Sequence, residues 1–110
     1  MLALLDPEIR HEVNQGEVRI GMENYREFLQ VMDECYEEKL TEMVFLSDAS
    51  AQRFACEFVV NGLYKKGDEP PARGQSYVLP AGAFLEVRNG KITRVTTYYN
   101  LPLWIKLVSE

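Results

Sequence analysis

The chain has 110 residues, the size of one domain, and its 46% hydrophobic and 26% charged content is ordinary globular composition that excludes wholesale disorder. Its net charge of −5 argues against nucleic acid or an anionic membrane as the main partner, because neither attracts an acidic surface. No apolar run approaches the ~20 residues needed to span a bilayer.

The start, MLALLDPEIR, has neither the basic segment nor the long apolar run of a signal peptide, so the expected location is cytoplasmic. Met1 to Leu5 reads as the end of a helix, broken by Asp6-Pro7. Glu8 to Asn14 alternates Ile9, His11 and Val13 against polar residues, the pattern of a short strand. After the Gln15-Gly16-Glu17 turn, Val18 to Ile20 is extended again. From Met22 to Glu38 the period becomes helical: Tyr25, Phe28, Leu29, Met32 and Tyr36 form one wide apolar stripe. Cys35 and Cys56 are expected buried and reduced. Their spacing fits no zinc pattern and His11 is the sole histidine, so no metal or other cofactor is expected.

Four strands follow. Leu40 to Leu46 is apolar on both faces. In Gln52 to Tyr64 the even positions, Phe54 to Tyr64, form the core face. Lys65 to Gly74 is a polar loop with two prolines, expected mobile. Gln75 to Arg88 is a long strand, with a bulge or bend expected at Pro80-Ala81-Gly82. Asn89-Gly90 is a strong hairpin signal, and Lys91 to Asn100 completes the set. Here Thr93, Val95, Thr97 and Tyr99 would face the core, and Tyr98 the other side. Leu101 to Val108 reads as a short apolar tail that packs Trp104 on the sheet edge or at a pocket mouth. A helix followed by a meander is α+β. The long strands, about four, must curl around the helix to bury its stripe, and residues 1–110 form one domain.

The segments HEVNQG, GMENYREFLQVMDECYEE and PPARGQSYVLPAGAFLEVRNGKITRVTTYYNLPLW resemble the SnoaL-like branch of the NTF2-like superfamily, in particular ketosteroid isomerase-related proteins. The resemblance covers nearly the whole chain. It implies a cone, a curved antiparallel sheet wrapped on helices with a pocket inside, and dimerisation through the outer sheet face. It also implies a five-turn first helix of which only MLALL remains. The steroid isomerase template needs an Asp base in the strand resembling His11 to Gly16, where no aspartate occurs, and a second acid near Ala83. The epoxide hydrolase relative's Arg and two Asp residues would fall at Phe58, Val60 and Thr97. Neither catalytic set is present.

The remaining base is His11, neutral at pH 7 if desolvated, with Asn14 to position a water or carbonyl. The other reading of His11 is a strand histidine bonded to a backbone carbonyl. Tyr36, Tyr64, Tyr77 and Tyr99 can donate hydrogen bonds to a ligand oxygen, and Phe58, Val60, Thr97 and Trp104 complete the expected wall around a small apolar molecule. Glu57 and Glu86 read as cross-strand surface partners. Two functions stay open: isomerase- or cyclase-type acid–base chemistry on a carbonyl compound, or ligand binding and dimeric scaffolding without turnover. The half-apolar outer face (Val44, Ala55, Val59, Leu63) predicts a homodimer.

Overall fold

The alternation that marks the long strands carries through the computed structural model, which describes residues 4–109. The elements are β1 (Leu5–Val13), β2 (Arg19–Ile20), α1 (Met22–Cys35), β3 (Tyr36–Ser47), β4 (Arg53–Tyr64), β5 (Gln75–Arg88), β6 (Lys91–Tyr99) and α2 (Leu101–Ser109). The six strands form one curved, unclosed sheet in the order β2-β1-β6-β5-β4-β3, and the class is α+β.

The sheet is mixed rather than antiparallel. β3 to β6 make an antiparallel meander, but β1 lies parallel to β6, with His11 opposite Val95 and Val13 opposite Thr97. The reason is topological. α1 carries the chain from β1 to the far edge, so β1 neighbours the last strand of the meander and hairpin alternation no longer sets its direction.

Several boundaries differ from the periodicity. Leu5, expected in a helix end, opens β1 instead, and Met1 to Ala3 lie outside the described residues. α1 stops at Cys35, three residues before Glu38. Tyr36 is extended, and β3 pairs Tyr36, Glu37 and Glu38 with Tyr64, Leu63 and Gly62. The Cys35 carbonyl accepts hydrogen bonds from the Lys65 and Lys66 amides. Pairing with β4 thus overrides a helical stripe that continues past the capture point. No bulge occurs at Pro80 to Gly82; the β4–β5 register runs unbroken from Gln75 to Glu86. Pro80 is tolerated because β6 pairing begins only at Ala81, which leaves one side of β5 free there.

Two further segments are more ordered than their composition implies. The tail is a helix: Asn100 caps α2, its side-chain oxygen accepting from the Leu103 amide at 3.0 Å. The 65–74 loop is strapped down. Tyr64 donates to the Pro70 carbonyl at 2.8 Å, and Gln75 Nε2 donates to the carbonyls of Pro71 (2.9 Å) and Val108 (2.7 Å).

The core sits where α2 packs on β4 and β5: Cys56, Phe58, Val60, Tyr64, Tyr77, Leu79, Trp104 and Val108 are buried. Trp104 lies edge-on to Tyr36, Tyr64 and Tyr77, with ring centroids 6.0, 5.0 and 6.1 Å away. By contrast α1 buries no residue; Tyr25, Phe28 and Met32 are half-buried and Leu29 is 37% exposed. The radius of gyration is 14.8 Å, against ~13 Å for a compact chain of this length. The sheet does not close around its helix.

Candidate functional site

A cavity of about 240 Å³ opens between α1, the inner sheet face and α2. Its wall is mostly apolar, with Phe28, Met32, Leu40, Phe58, Val60 and Leu79 among its residues, and Tyr36, Glu38, Tyr77, Thr97, Tyr99 and Trp104 as its polar members. Alternation explains the selection. Phe58 and Val60 are even positions of β4, Tyr77 and Leu79 odd positions of β5, and Thr97 and Tyr99 odd positions of β6, all on the same face.

Of the residues expected in a pocket wall, Tyr36, Phe58, Val60, Tyr77, Thr97, Tyr99 and Trp104 line this cavity. Tyr64 stands behind it, stacked on Tyr36 at 5.5 Å, with its hydroxyl committed to Pro70. Tyr98 lies on the opposite face, edge-on to Phe84 at 5.8 Å.

His11 and Asn14 are placed elsewhere. His11 is 5% exposed on β1, with Tyr25 and Phe28 of α1 at 5.0 and 4.3 Å between ring centroids, and it is not part of the cavity lining. Burial, and then the nearby Arg19 charge, push its pKa below the usual 6.5, so the ring is neutral at pH 7. Asn14 extends the β1–β6 ladder from a left-handed conformation (φ 52°). Its amide donates to the Thr97 carbonyl at 2.8 Å, and its side-chain oxygen accepts from the Tyr99 amide at 2.7 Å. That hydrogen bond from the Tyr99 N–H anchors the strand end that carries Tyr99. Asn14 and Tyr99 also border a larger, shallow groove of about 1020 Å³ with Glu42, Glu57 and Tyr98.

The residue that sequence reasoning missed is Glu38. It lies on the cavity wall, and the Tyr77 hydroxyl donates to its Oε2 at 2.5 Å. The register shows how. Glu38 is opposite Gly62, and Gly62 is opposite Tyr77, so the three residues form a row across β3, β4 and β5. A Cβ on Gly62 would overlap the Tyr77 ring. The glycine lets the ring lie flat over β4, so that a tyrosine on one strand reaches a carboxylate two strands away.

This surrounding raises the tyrosine pKa values above their ordinary value near 10. Burial raises the Tyr36 pKa to about 12, with smaller contributions from Tyr99, Tyr64, Cys35 and Glu38. Burial, the hydrogen bond to Glu38 and that residue's charge push Tyr77 up further, while the Trp104 indole N–H pulls the other way. Burial and the Glu38 charge raise Tyr99 as well. The hydrogen bonds among the described residues leave the Tyr36 and Tyr99 hydroxyls unused. The arrangement is a set of neutral O–H donors and one carboxylate in an apolar enclosure. Among the described residues no three His, Cys, Asp or Glu side chains cluster as a metal site, and no helix is long and apolar enough to cross a membrane.

Glu86 pairs with Arg53 at 3.4 Å and Arg94 at 3.1 Å across β4, β5 and β6, away from the cavity. Such part-exposed pairs contribute little stability.

A candidate polyketide cyclase from a Silicibacter species is 52% identical; the alignment covers 100% of this chain and 82% of that one, with a TM-score of 0.95. One from Pseudomonas putida is 47% identical over 97% of this chain and 82% of that one, with a TM-score of 0.94. A phenazine biosynthesis-related protein from Pseudomonas aeruginosa shares the fold at 15% identity, covering 98% and 72% of the two chains with a TM-score of 0.85. Among curated proteins nothing matches. The SnoaL-like domain family matches residues 1–95, and with those structural neighbours it establishes that the chain belongs to the SnoaL-like family, with an NTF2-like fold.

Proposed function

We propose that the chain binds a small, mostly apolar, carbonyl-containing molecule in the 240 Å³ cavity and performs isomerase- or cyclase-type proton transfer on it. The observation that carries this reading is the pair of unused tyrosine hydroxyls, Tyr36 and Tyr99, in a mostly apolar wall. Both rings are half-buried, which leaves their hydroxyls free to donate to a ligand in the cavity, and a carbonyl or enolate oxygen is the acceptor that such donors stabilise. The two neighbours described as candidate polyketide cyclases, at 47% and 52% identity, support the same class, since polyketides are rich in carbonyls. In this reading His11 and Asn14 hold the wall in place. His11 seats α1, which carries Phe28 and Met32 into the cavity, and Asn14 fixes the backbone of Tyr99.

The test is a thermal-shift panel of one- and two-ring aromatic ketones and their parent hydrocarbons. A ligand that binds only the folded state raises the melting temperature with concentration. The ketones are expected to do so and the hydrocarbons to do so less. Equal shifts, or none, would remove the carbonyl from the reading.

The chain also exposes an apolar outer sheet face, with Val78 61%, Val44 49% and Phe84 46% exposed. A homodimer across it accounts for a patch that monomers seldom present to water. A monomeric mass by light scattering at micromolar concentration would sink that assembly.

A further inference from the structure

We infer that Glu38 is the proton-accepting group of this cavity, that Tyr77 positions it, and that the substrate is an apolar ketone with a C–H bond next to the carbonyl. The inference rests on the ligand reading above and adds to it the base and the bond that breaks.

Four observations carry it. Glu38 is the one carboxylate among the described residues of the cavity wall. Its Oε2 is held by the Tyr77 hydroxyl at 2.5 Å, while Oε1 has no hydrogen bond among the described residues. The holder is itself built in. Tyr77 is 3% exposed, lies over Gly62 where any side chain would displace it, and packs edge-on against Trp104. Such a row is an unusual use of a strand interior, where glycine weakens pairing unless a close approach requires it. Finally, Glu38 sits at the cavity mouth on a solvent-exposed stretch of β3, so a proton it takes can exchange with water.

The step balances without any other reactant. Glu38 Oε1 takes the proton from the carbon next to the carbonyl. The C–H electron pair becomes the enolate double bond and the carbonyl π pair moves onto oxygen. The Tyr36 and Tyr99 hydroxyls, protonated at neutral pH like any tyrosine, stand ready to donate to that oxygen. Return of the proton to the same carbon, or to a conjugated one, restores the carboxylate. In a ring closure the same enolate carbon bonds to a second carbonyl carbon, that carbonyl's π pair moves onto its oxygen, and the Glu38 proton passes to the new alkoxide.

The experiment uses β-tetralone in deuterium oxide. Proton NMR follows deuterium uptake at the carbon next to the carbonyl, and quenching of Trp104, the chain's single tryptophan, reports binding. Wild type is expected to bind and to accelerate uptake over buffer. Glu38→Gln keeps shape and volume, so binding should stay within about threefold while uptake falls about a hundredfold or more. Tyr77→Phe should bind and exchange at an intermediate rate. Its pH profile should move relative to wild type, which a purely structural strap would not produce. Glu38→Asp, a second folded control, should recover part of the rate. Undiminished uptake in Glu38→Gln would overturn the assignment of Glu38 and leave the proposed function standing, whereas binding to wild type without uptake would overturn the assignment and the proton transfer and leave only the binding. Absence of any quenching would overturn the pocket reading, and this one with it.

Discussion

The two ends of the sheet are built differently. Where α2 crosses β4 and β5, aromatic rings from four elements interlock, and Tyr64, Tyr77 and Trp104 are all under 10% exposed. Where α1 crosses β1, a helix with an equally plain apolar stripe buries nothing outright, and only His11, Tyr25 and Phe28 meet ring to ring. The cavity lies between, with a firm wall on one side and a lightly held one on the other. Amphipathic patterning therefore reports which face can be buried, and the packing partner decides whether it is.

The firm end should dominate stability. Trp104→Ala removes the ring that touches Tyr36, Tyr64 and Tyr77, and truncations of buried aromatics of this kind cost about 3–5 kcal/mol. Urea denaturation of the variant is expected to show that loss, with fluorescence replaced by circular dichroism because the chain's one tryptophan is gone. A loss below about 1 kcal/mol would mean that the aromatic cluster is not the core.

Gly62→Ala tests the row that links the firm wall to the edge strand. The added methyl meets the Tyr77 ring, so the ring must leave Glu38 or β4 must shift, at about 1–3 kcal/mol. In that background Tyr77→Phe should cost little more, because the hydroxyl's bond is already broken. Full additivity of the two changes by double-mutant cycle would show that Gly62 is not what allows Tyr77 to reach the carboxylate.

This row also shows how much of the site was legible. Alternation in β4 and β6 placed Phe58, Val60, Thr97 and Tyr99 on core faces, because period two leaves no freedom once a strand is identified. Glu38 was not legible. The helical stripe of Tyr25, Phe28 and Met32 continues to Tyr36, and only the pairing of Tyr36 to Glu38 with Gly62 to Tyr64 turns those residues into strand. A signal was available in Gly62 itself, a glycine inside an otherwise apolar strand, which marks a close approach. The parallel pairing of β1 with β6 is likewise a long-range fact that no local pattern encodes. The tail helix was more accessible: Asn100 three residues before Leu103, with Pro102 in the first turn, is a helix start.

At the lightly held end, His11 offers a titration. Its folded pKa lies below the unfolded value of 6.5, because burial and Arg19 disfavour the charged ring. The unfolded chain then binds the extra proton first, so stability from this group is complete above about pH 6.5 and declines as pH falls through that value toward the folded pKa. Chemical denaturation from pH 7.5 to 5 should show that decline, and His11→Gln should flatten it. An unchanged slope in the variant would place the imidazole in water rather than between Tyr25 and Phe28.

The smallest effect is the sharpest contrast. Leu29 belongs to the apolar stripe of α1 yet is 37% exposed. Leu29→Ala should therefore cost about 1 kcal/mol or less, offset in part by the better helix propensity of alanine. Core leucines lose about 2–5 kcal/mol under the same change. A loss in that higher range, measured at several protein concentrations, would separate two explanations. If it grew with concentration, a second copy covers α1 in solution. If it did not, α1 sits deeper on the sheet than its exposure states, and the wall carrying Phe28 and Met32 is as firm as the one built by Tyr77 and Trp104.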